Sequence, residues 1–374
     1  MSDQQAWLIT DPEAEAGGRE TLPPTDGLTV ITRAELADSN LRFPAGTKVA
    51  ITTEAAMDEV VSRLDPGRRK AIRSLKDKAA FRELLRPLYP DLTFETVATN
   101  DLPATVLNPD ARYVIKPALG VFGAGVRTIS GRADLSEVHA ELVAEMTENA
   151  AVLSETALSA ERLIIERYID GEEYAVDAFF DSQGRPVITS AYHHPMPTNP
   201  AYLHMVYYTS RPVMDLVSTQ AIDFLTALND QLGMTDLAVH SEFRLEGDRL
   251  MPIEINAMRF GGMGLGNMVF HTAGVNPYRH FIDGTNPDWS QLPQDGQAIV
   301  FFIGYNGASV DPATHVPDWP GLRRHFDDIM LEVPFDHREQ LAFGVLYARE
   351  PTERIPELLS IEFDDLFVEG PDVD

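Results

Sequence analysis

Glu242, Glu254 and Asn256 are the side chains whose types and spacing carry the clearest chemistry. Positions 254 and 256 are two apart in an extended run, so both point to one face of a sheet. The turn Glu246-Gly247-Asp248 joins that run, Leu250–Asn256, to an earlier one, Leu237–Leu245. With the turn centred near Gly247, Glu242 falls within a residue of directly opposite Glu254. Two carboxylates and an amide oxygen then meet at one spot. Hard oxygen donors in that number suit Mg²⁺ or Mn²⁺, which take one or two carboxylates and complete their shell with water and substrate phosphates. The same residues also read as an exposed acidic face on a hairpin. Apolar Pro252, Ile253 and Ile255 point instead to a buried strand, where a carboxylate needs a partner. Arg259 and the pair Gly261-Gly262 follow at once, a cation and a flexible turn.

Three other runs bear on the same chemistry. In Tyr113–Gly125 an apolar strand ends in Lys116-Pro117 and a loop containing Gly120, Gly123 and Gly125. Such a loop lets backbone N–H groups approach phosphate oxygens while the lysine adds a point charge; it also reads as a plain turn, and it is neither a P-loop nor a dinucleotide fingerprint. In Leu163–Phe180 a buried strand meets Asp170-Gly171, followed by Glu172 and Glu173. That is either an ordinary hairpin with acidic turn residues or a hinge whose free backbone groups read an adenine edge while a carboxylate takes ribose hydroxyls. Asp77 can cap a helix, and Lys78 beside it opposes the helix dipole.

On the acceptor side lies Tyr192–Pro212, an insert rich in proline, histidine and tyrosine. His193, His194, His204, Tyr208 and Arg211 are its candidates for lining a substrate pocket and orienting a carboxylate. Loop histidines are also commonly exposed, and adjacent His193 and His194 cannot put both rings on one side of a strand. Their spacing matches no His-rich metal site. His271, Asn276 and Tyr278 are further candidates.

The elements that must position these residues alternate between strand and helix. Strand-like runs at Trp7–Thr10, Leu28–Thr32 and Lys48–Thr53, with a helix near Glu54–Leu64, suggest a small α/β module. Lys70–Leu88 reads as one amphipathic helix ending before Pro90. Strands are expected at Thr93–Ala98, Tyr113–Lys116, Val126–Ile129 and Arg162–Tyr168, with a helix at Leu135–Thr147. Glu173–Phe180 and Pro186–Tyr192 form a hairpin, and Val217–Leu232 a helix. The remainder reads strand Ala298–Tyr305, helix Leu322–Ile329, strand Ala342–Arg349, helix Arg354–Ile361. The fold class is mixed α/β and α+β.

Composition removes several alternatives. The 374 residues carry 30 Lys+Arg against 58 Asp+Glu, a net charge of −28, and no cysteine. A basic footprint for nucleic acid is missing, and thiol nucleophiles, disulfides and iron–sulfur clusters are excluded. No apolar run approaches the roughly 18 residues that span a bilayer, and no secretory signal opens the chain, so a cytoplasmic protein without membrane partners is expected. Only Lys48, Lys70, Lys76, Lys78 and Lys116 are lysine, which makes each one worth asking about.

Taken in order, these residues resemble the ATP-grasp superfamily. The pattern is Asp77-Lys78 opening a helix, strand–Lys116–Pro117–glycine loop, Glu166-x-Tyr168-Ile169-x-Gly171-x-Glu173, then Glu242 and Glu254-x-Asn256 followed by Arg259 and Gly261-Gly262. The resemblance implies a small N-terminal α/β domain (1–70), two ATP-grasp subdomains (71–170 and 171–296) and a short α+β C-terminal segment (297–374). It implies ATP and magnesium, or manganese, as cofactors. Lys78 and Lys116 would hold ATP phosphates under the loop of Gly120, Gly123 and Gly125. Glu166, Tyr168 and Ile169 would flank the adenine and Glu173 hold the ribose. Glu242, Glu254 and Asn256 would hold the metal, and Arg259, with Lys116, would act on the transferred phosphoryl group. Family members commonly show Glu-x-Asn-x-Arg, whereas here Met258 adds a residue before Arg259. The implied reaction joins a small carboxylate, an amino acid or short peptide, to an amine through an acylphosphate; a phosphotransferase acting on a hydroxyl is the alternative, and a non-catalytic nucleotide sensor a third reading. A homodimer is compatible with the C-terminal segment.

Overall fold

The computed structural model describes residues 6–12, 19–119, 125–150, 159–294 and 296–370. The chain divides into two compact units. One comprises Met1–Asp65, Gly171–Thr226 and Met234–Asp374; the other comprises Pro66–Asp170 and Ala227–Gly233.

Two main sheets organise the larger unit, beside a two-stranded pair of His315–Pro317 with Phe367–Glu369. Ala6–Thr10 lies between Leu28–Thr32 and Lys48–Ile51 in a parallel sheet, and the helix Arg33–Ala37 lies in the crossover that follows the second strand. Thr32 caps that helix and Glu35 returns the bond, a reciprocal capping box. The second sheet has eight strands in the order Arg249–Ala257, Leu237–Glu246, Glu172–Phe180, Pro186–His194, Val206–Thr209, Gln297–Tyr305, Ala342–Pro351 and Asp328–Pro334. Every pairing in it is antiparallel. The C-terminal strands thus extend the sheet that carries the Glu242–Glu254 hairpin. Leu8 and Ala50 of the parallel sheet pack with Phe179, Ala238, Phe260 and Phe281, which ties the two sheets together. A second cluster around Val300, Phe302, Phe343 and Leu346 fills the C-terminal half; each such side chain, fully withdrawn from water, contributes about 1.5–3 kcal/mol.

The smaller unit is a four-stranded antiparallel sheet, Phe94–Ala98, Ser159–Arg167, Arg112–Leu119 and Arg127–Ser130. Leu142 and Met146 of the helix Leu135–Ala150 pack on Ile115, Leu163 and Ile165.

Local chemistry overrides the periodic pattern in three places. The expected single helix from Lys70 breaks into Pro66–Lys76 and Lys78–Leu85, because Asp77 leaves helical geometry (ψ 108°) and its carboxylate accepts from the Ala79 and Ala80 amides. The expected helix over 322–329 is instead a short turn of helix, Trp319–Arg323, and a strand, Asp328–Pro334. There the alternation of Ile329, Leu331 and Val333 beside the edge of a large sheet outweighs helical spacing. The proline-rich insert contributes a strand of its own, Val206–Thr209.

Gly171 sits at the junction after Asp170 with φ +105°, and a Cβ there would lie 2.0 Å from the Leu245 carbonyl oxygen. Gly171→Ala is therefore expected to cost at least about 2 kcal/mol, from the left-handed backbone and the clash together. Urea unfolding of the two proteins measures it; equal midpoints would show that the turn relaxes freely.

Candidate functional site

In the larger unit one face of the eight-stranded sheet gathers a cluster of ionisable side chains. Glu242 pairs directly opposite Glu254, as the hairpin arithmetic requires, and His240 opposite Asn256. A bulge follows Glu242, where Pro252 rather than Ile253 faces Phe243; Pro252 is tolerated because this strand is the sheet's edge. Across the other side, Ala175 pairs with Glu242, Asp177 with His240 and Glu173 with Arg244. Residues two apart share a face, so Glu173, Asp177, His240, Glu242, Arg244, Glu254 and Asn256 lie together.

Asp177 is completely buried and organises this face. Its Oδ1 lies 2.7 Å from His240 Nδ1, and its Oδ2 accepts from the Tyr192 hydroxyl at 3.1 Å. Burial alone would depress the His240 pKa, but the Asp177 carboxylate wins and the ring is pushed up to about 9, an imidazolium at neutral pH. Its Nε2 stands 3.6 Å from Glu242 Oε1. Burial and the facing Glu254 both push the Glu242 carboxyl up. Asn256 Nδ2 donates to Glu254 Oε1 at 3.1 Å.

This donor set suits a magnesium ion. Two carboxylates opposed across a hairpin repel one another, and a divalent cation between them satisfies both. Among the described residues no group of three or more His, Cys, Asp or Glu side chains forms a cage made by protein alone. Magnesium does not demand one, since it retains water and takes substrate phosphates.

Arg259 is reached through an unusual backbone. Met258, the additional residue, is left-handed (φ +71°) and fully buried. Its N–H donates to Ala238 O at 2.7 Å and its carbonyl accepts from Ile51 N–H at 2.8 Å. The insertion is thus absorbed in backbone pairing. Arg259 itself donates to Phe260 O at 3.2 Å, and its Nη2 lies 3.5 Å from Glu54 Oε1. Its Nε is buried with no hydrogen-bond partner among the described residues. Its charge opposes protonation of His240.

The strand register sorts the insert's candidates. His194 pairs with Glu173, donating across 2.7 Å to a carboxylate that His194 and Arg244 hold below its ordinary range against the effect of burial. The His194 ring stacks on Tyr207 at 4.0 Å and on His204 at 5.3 Å. Burial drives His204 down to about 4, with His194 adding. His193 and Tyr208 point to the opposite face, hydrogen-bonded to each other and, through His193, to Glu172, with the His193 ring stacked on Tyr174. Arg211 is engaged with Asp215 on the first turn of the helix Arg211–Leu232. The structure therefore brings His194 and His204 to the acidic face and leaves His193, Tyr208 and Arg211 away from it. His271 donates to Thr21 O and Asn276 caps the helix Pro277–Asp283, both structural tasks.

In the smaller unit Lys116 and Glu166 are both about 4 % exposed and form a 2.5 Å ion pair. Arg82 joins them, its Nε 2.6 Å from the other Glu166 oxygen. Burial works against the Glu166 carboxylate, yet Arg82 and Lys116 hold its pKa at about 2. Burial lowers the Lys116 pKa, Glu166 counteracts, and Arg82 and Lys78 reinforce the lowering. Tyr168 lies under the Arg112 guanidinium at 4.2 Å, and Ile169 is buried. Gly125 donates its N–H to Glu145 at 2.8 Å. Gly120 and Gly123 lie outside the described residues.

Sequence reasoning passed over Asp177, Tyr192, Tyr207, Arg82 and Arg244. Asp177 was within reach: it stands at period two from Glu173, on the strand that must neighbour the His240–Glu242 strand. Arg82, one helical turn after Lys78, was another.

A parallel three-stranded sheet, a four-stranded antiparallel sheet and a large antiparallel sheet bearing an acid pair at its edge make up the ATP-grasp fold. Residues 110–267 match the family model of the ATP-grasp domain. The structure is similar to that of an L-amino acid ligase from Bacillus licheniformis (15 % identity, 100 % of both chains, TM-score 0.66). It is also similar to N5-carboxyaminoimidazole ribonucleotide synthetase from Thermotoga maritima (13 % identity, 98 % of this chain and 100 % of that one, TM-score 0.62). A third is carboxyaminoimidazole ribonucleotide synthase from Aspergillus clavatus complexed with ATP (15 % identity, 97 % and 98 %, TM-score 0.60). No curated protein matches the chain. The chain has the ATP-grasp fold. Among the described residues no helix is long and apolar enough to cross a membrane.

Proposed function

We propose that the protein is an ATP-dependent ligase that joins a small carboxylate, an amino acid or short peptide, to an amine, converting MgATP to ADP and phosphate. The observation that carries this reading is the Glu242–Glu254 pair in register across one hairpin with Asn256 on the same face. The likeness to an L-amino acid ligase over the whole of both chains supports it.

In this reading Lys78 and Lys116 neutralise nucleotide phosphates, Tyr168, Ile169 and Glu173 receive the adenosine, and Glu242, Glu254 and Asn256 hold magnesium. The bound ion supplies charge neutralisation on the phosphates. A substrate carboxylate oxygen attacks the γ-phosphorus and the bond to the ADP oxygen breaks, giving an acylphosphate. The amine then attacks the acyl carbon, phosphate leaves with the carboxylate oxygen, and the amine proton passes to solvent. Arg259, with an unpaired buried Nε among the described residues, is suited to the charge that develops in both steps. Lys116 reaches a phosphate without stranding Glu166, which Arg82 continues to hold. Catalysis is then positioning and electrostatics, with no enzyme nucleophile. The phosphotransferase reading calls for a base beside a hydroxyl; His204, at about 4, is too weak, and His193 lies on the other face.

Substrate carboxylate labelled with ¹⁸O tests the reading. With MgATP, ADP release is expected only when carboxylate and amine are both present, and one label should appear in each phosphate formed. A phosphoester product, or unlabelled phosphate beside a true amide, would overturn it.

A further inference from the structure

The helix Pro66–Lys76 departs from the rest of the molecule in charge. The chain carries 58 acidic residues, yet none falls between 66 and 76, while Arg68, Arg69, Lys70, Arg73 and Lys76 do. Three of the five lysines, Lys70, Lys76 and Lys78, lie within nine residues. Ion pairs engage arginines across the molecule, from Arg33 to Arg354. Arg69, Lys70 and Arg73, in contrast, make no hydrogen bond or ion pair among the described residues. Arg69 follows a first turn that holds no acid and so opposes the helix dipole, and Arg69 and Arg73 are like charges four apart, a repulsion that offsets the favourable place of Arg73 in the last turn.

These three cations line a shallow groove of about 460 Å³, together with Ser74 and Asp77, where this helix meets the next. The Asp77 charge is already engaged, its Oδ1 with the Ala79 and Ala80 amides and its Oδ2 with Arg162 at 2.8 Å. Ala80, also in the lining, is about 200° around its helix from Lys78 and Arg82, so the groove is distinct from the Lys116–Glu166 cluster. Its size falls in the small-molecule range. Arg69 and Arg73 stand one turn apart, about 5–6 Å between Cβ atoms, a spacing that two phosphate groups of one molecule can bridge, and guanidinium forks pair with phosphate in two-point fashion.

We infer that this groove is a binding site for a small polyanion carrying two linked phosphate groups, separate from the nucleotide phosphates held by Lys78 and Lys116. The site acts against the repulsion of a chain at −28, so contact distances, inside one Debye length, must supply the attraction. Its occupancy falls steeply with salt.

Inorganic pyrophosphate is the probe, titrated calorimetrically at low salt into three proteins: the unaltered chain, Arg69→Gln/Arg73→Gln, and Lys116→Ala. The expected result is a site that Lys116→Ala keeps within about twofold and that the double variant weakens at least about tenfold, the loss of one good charge-assisted contact or more. Circular dichroism establishes that the double variant is folded, as expected where Arg73 is exposed and Arg69 half-buried. Equal pyrophosphate binding in the unaltered and double-variant proteins would overturn the inference. So would preference for a dicarboxylate such as glutarate over pyrophosphate, or saturation only of a site that Lys116→Ala abolishes. None of these outcomes bears on whether the protein is a ligase.

Discussion

Glu254→Gln is expected to reduce turnover at least about 10²-fold to 10³-fold while leaving the melting temperature unchanged or slightly raised. Removing one preorganised electrostatic group from a charge-stabilising site costs on the order of 3–4 kcal/mol of transition-state stabilisation. The glutamine amide has the same shape and keeps an oxygen for Asn256 Nδ2, now 3.1 Å from Glu254 Oε1. What disappears is one of two facing negative charges; burial first, and then the repulsion between them, already push Glu242 up. Stability and activity therefore move in different directions, which an unfolding artefact cannot imitate. Asp248→Asn, in the turn of the same hairpin, is the control and should change neither quantity. ADP release at saturating magnesium and a thermal melt decide the matter. Normal turnover by the Glu254→Gln protein would overturn the metal-holding role proposed for this strand.

The acid pair was legible because a hairpin converts sequence distance into spatial register. A short turn at Gly247 leaves little freedom, and Glu242 does face Glu254. The strand–helix alternation was legible for the same reason, wherever long apolar runs such as Ala298–Tyr305 leave one reading. Two kinds of information were not. The first is competition between local and distant terms: periodicity alone carries a helix through Asp77, but the carboxylate takes two amides there, and Ile329–Val333 becomes strand only because an edge awaits it. The second is partnership across long separations. His240 announces nothing until Asp177, 63 positions earlier, is placed beside it. Arg82 and Glu166 are 84 apart and look like two surface charges until the sheet buries both. His193 and His194 illustrate the boundary: strand alternation says they part, but which one joins the acidic face depends on the pairing of His194 with Glu173.

Glu166→Leu should destabilise the smaller unit by about 3–5 kcal/mol, because it leaves two buried cations without their common anion. Arg82 is 1 % exposed and Lys116 4 %, and the Arg82 terminal nitrogens have no other hydrogen-bond partner among the described residues. Burial already lowers the Lys116 pKa; without Glu166 to oppose it the amine is expected to discharge. Changing all three together, Glu166→Leu with Arg82→Met and Lys116→Met, should recover most of the loss, since apolar groups of similar volume often replace a buried ionic cluster without penalty. The acid limb gives an independent check. The Glu166 carboxyl titrates at about 2 in the folded protein, against 4.5 for the free group. A depressed carboxyl pKa contributes stability that is complete above the unfolded value and is lost as pH falls through the folded one. Over that interval the gap between the native chain and the Glu166→Leu variant should close by about 1.4 kcal/mol per pH unit, to a total of about 3 kcal/mol. The other carboxylates titrate in both proteins and cancel in the difference. Urea unfolding of the pair at pH 7, 4.5 and 3 measures the closing. A gap that stayed constant to pH 3 would mean that Glu166 contributes packing rather than charge, and that Lys116 is held in place by something other than its ion pair.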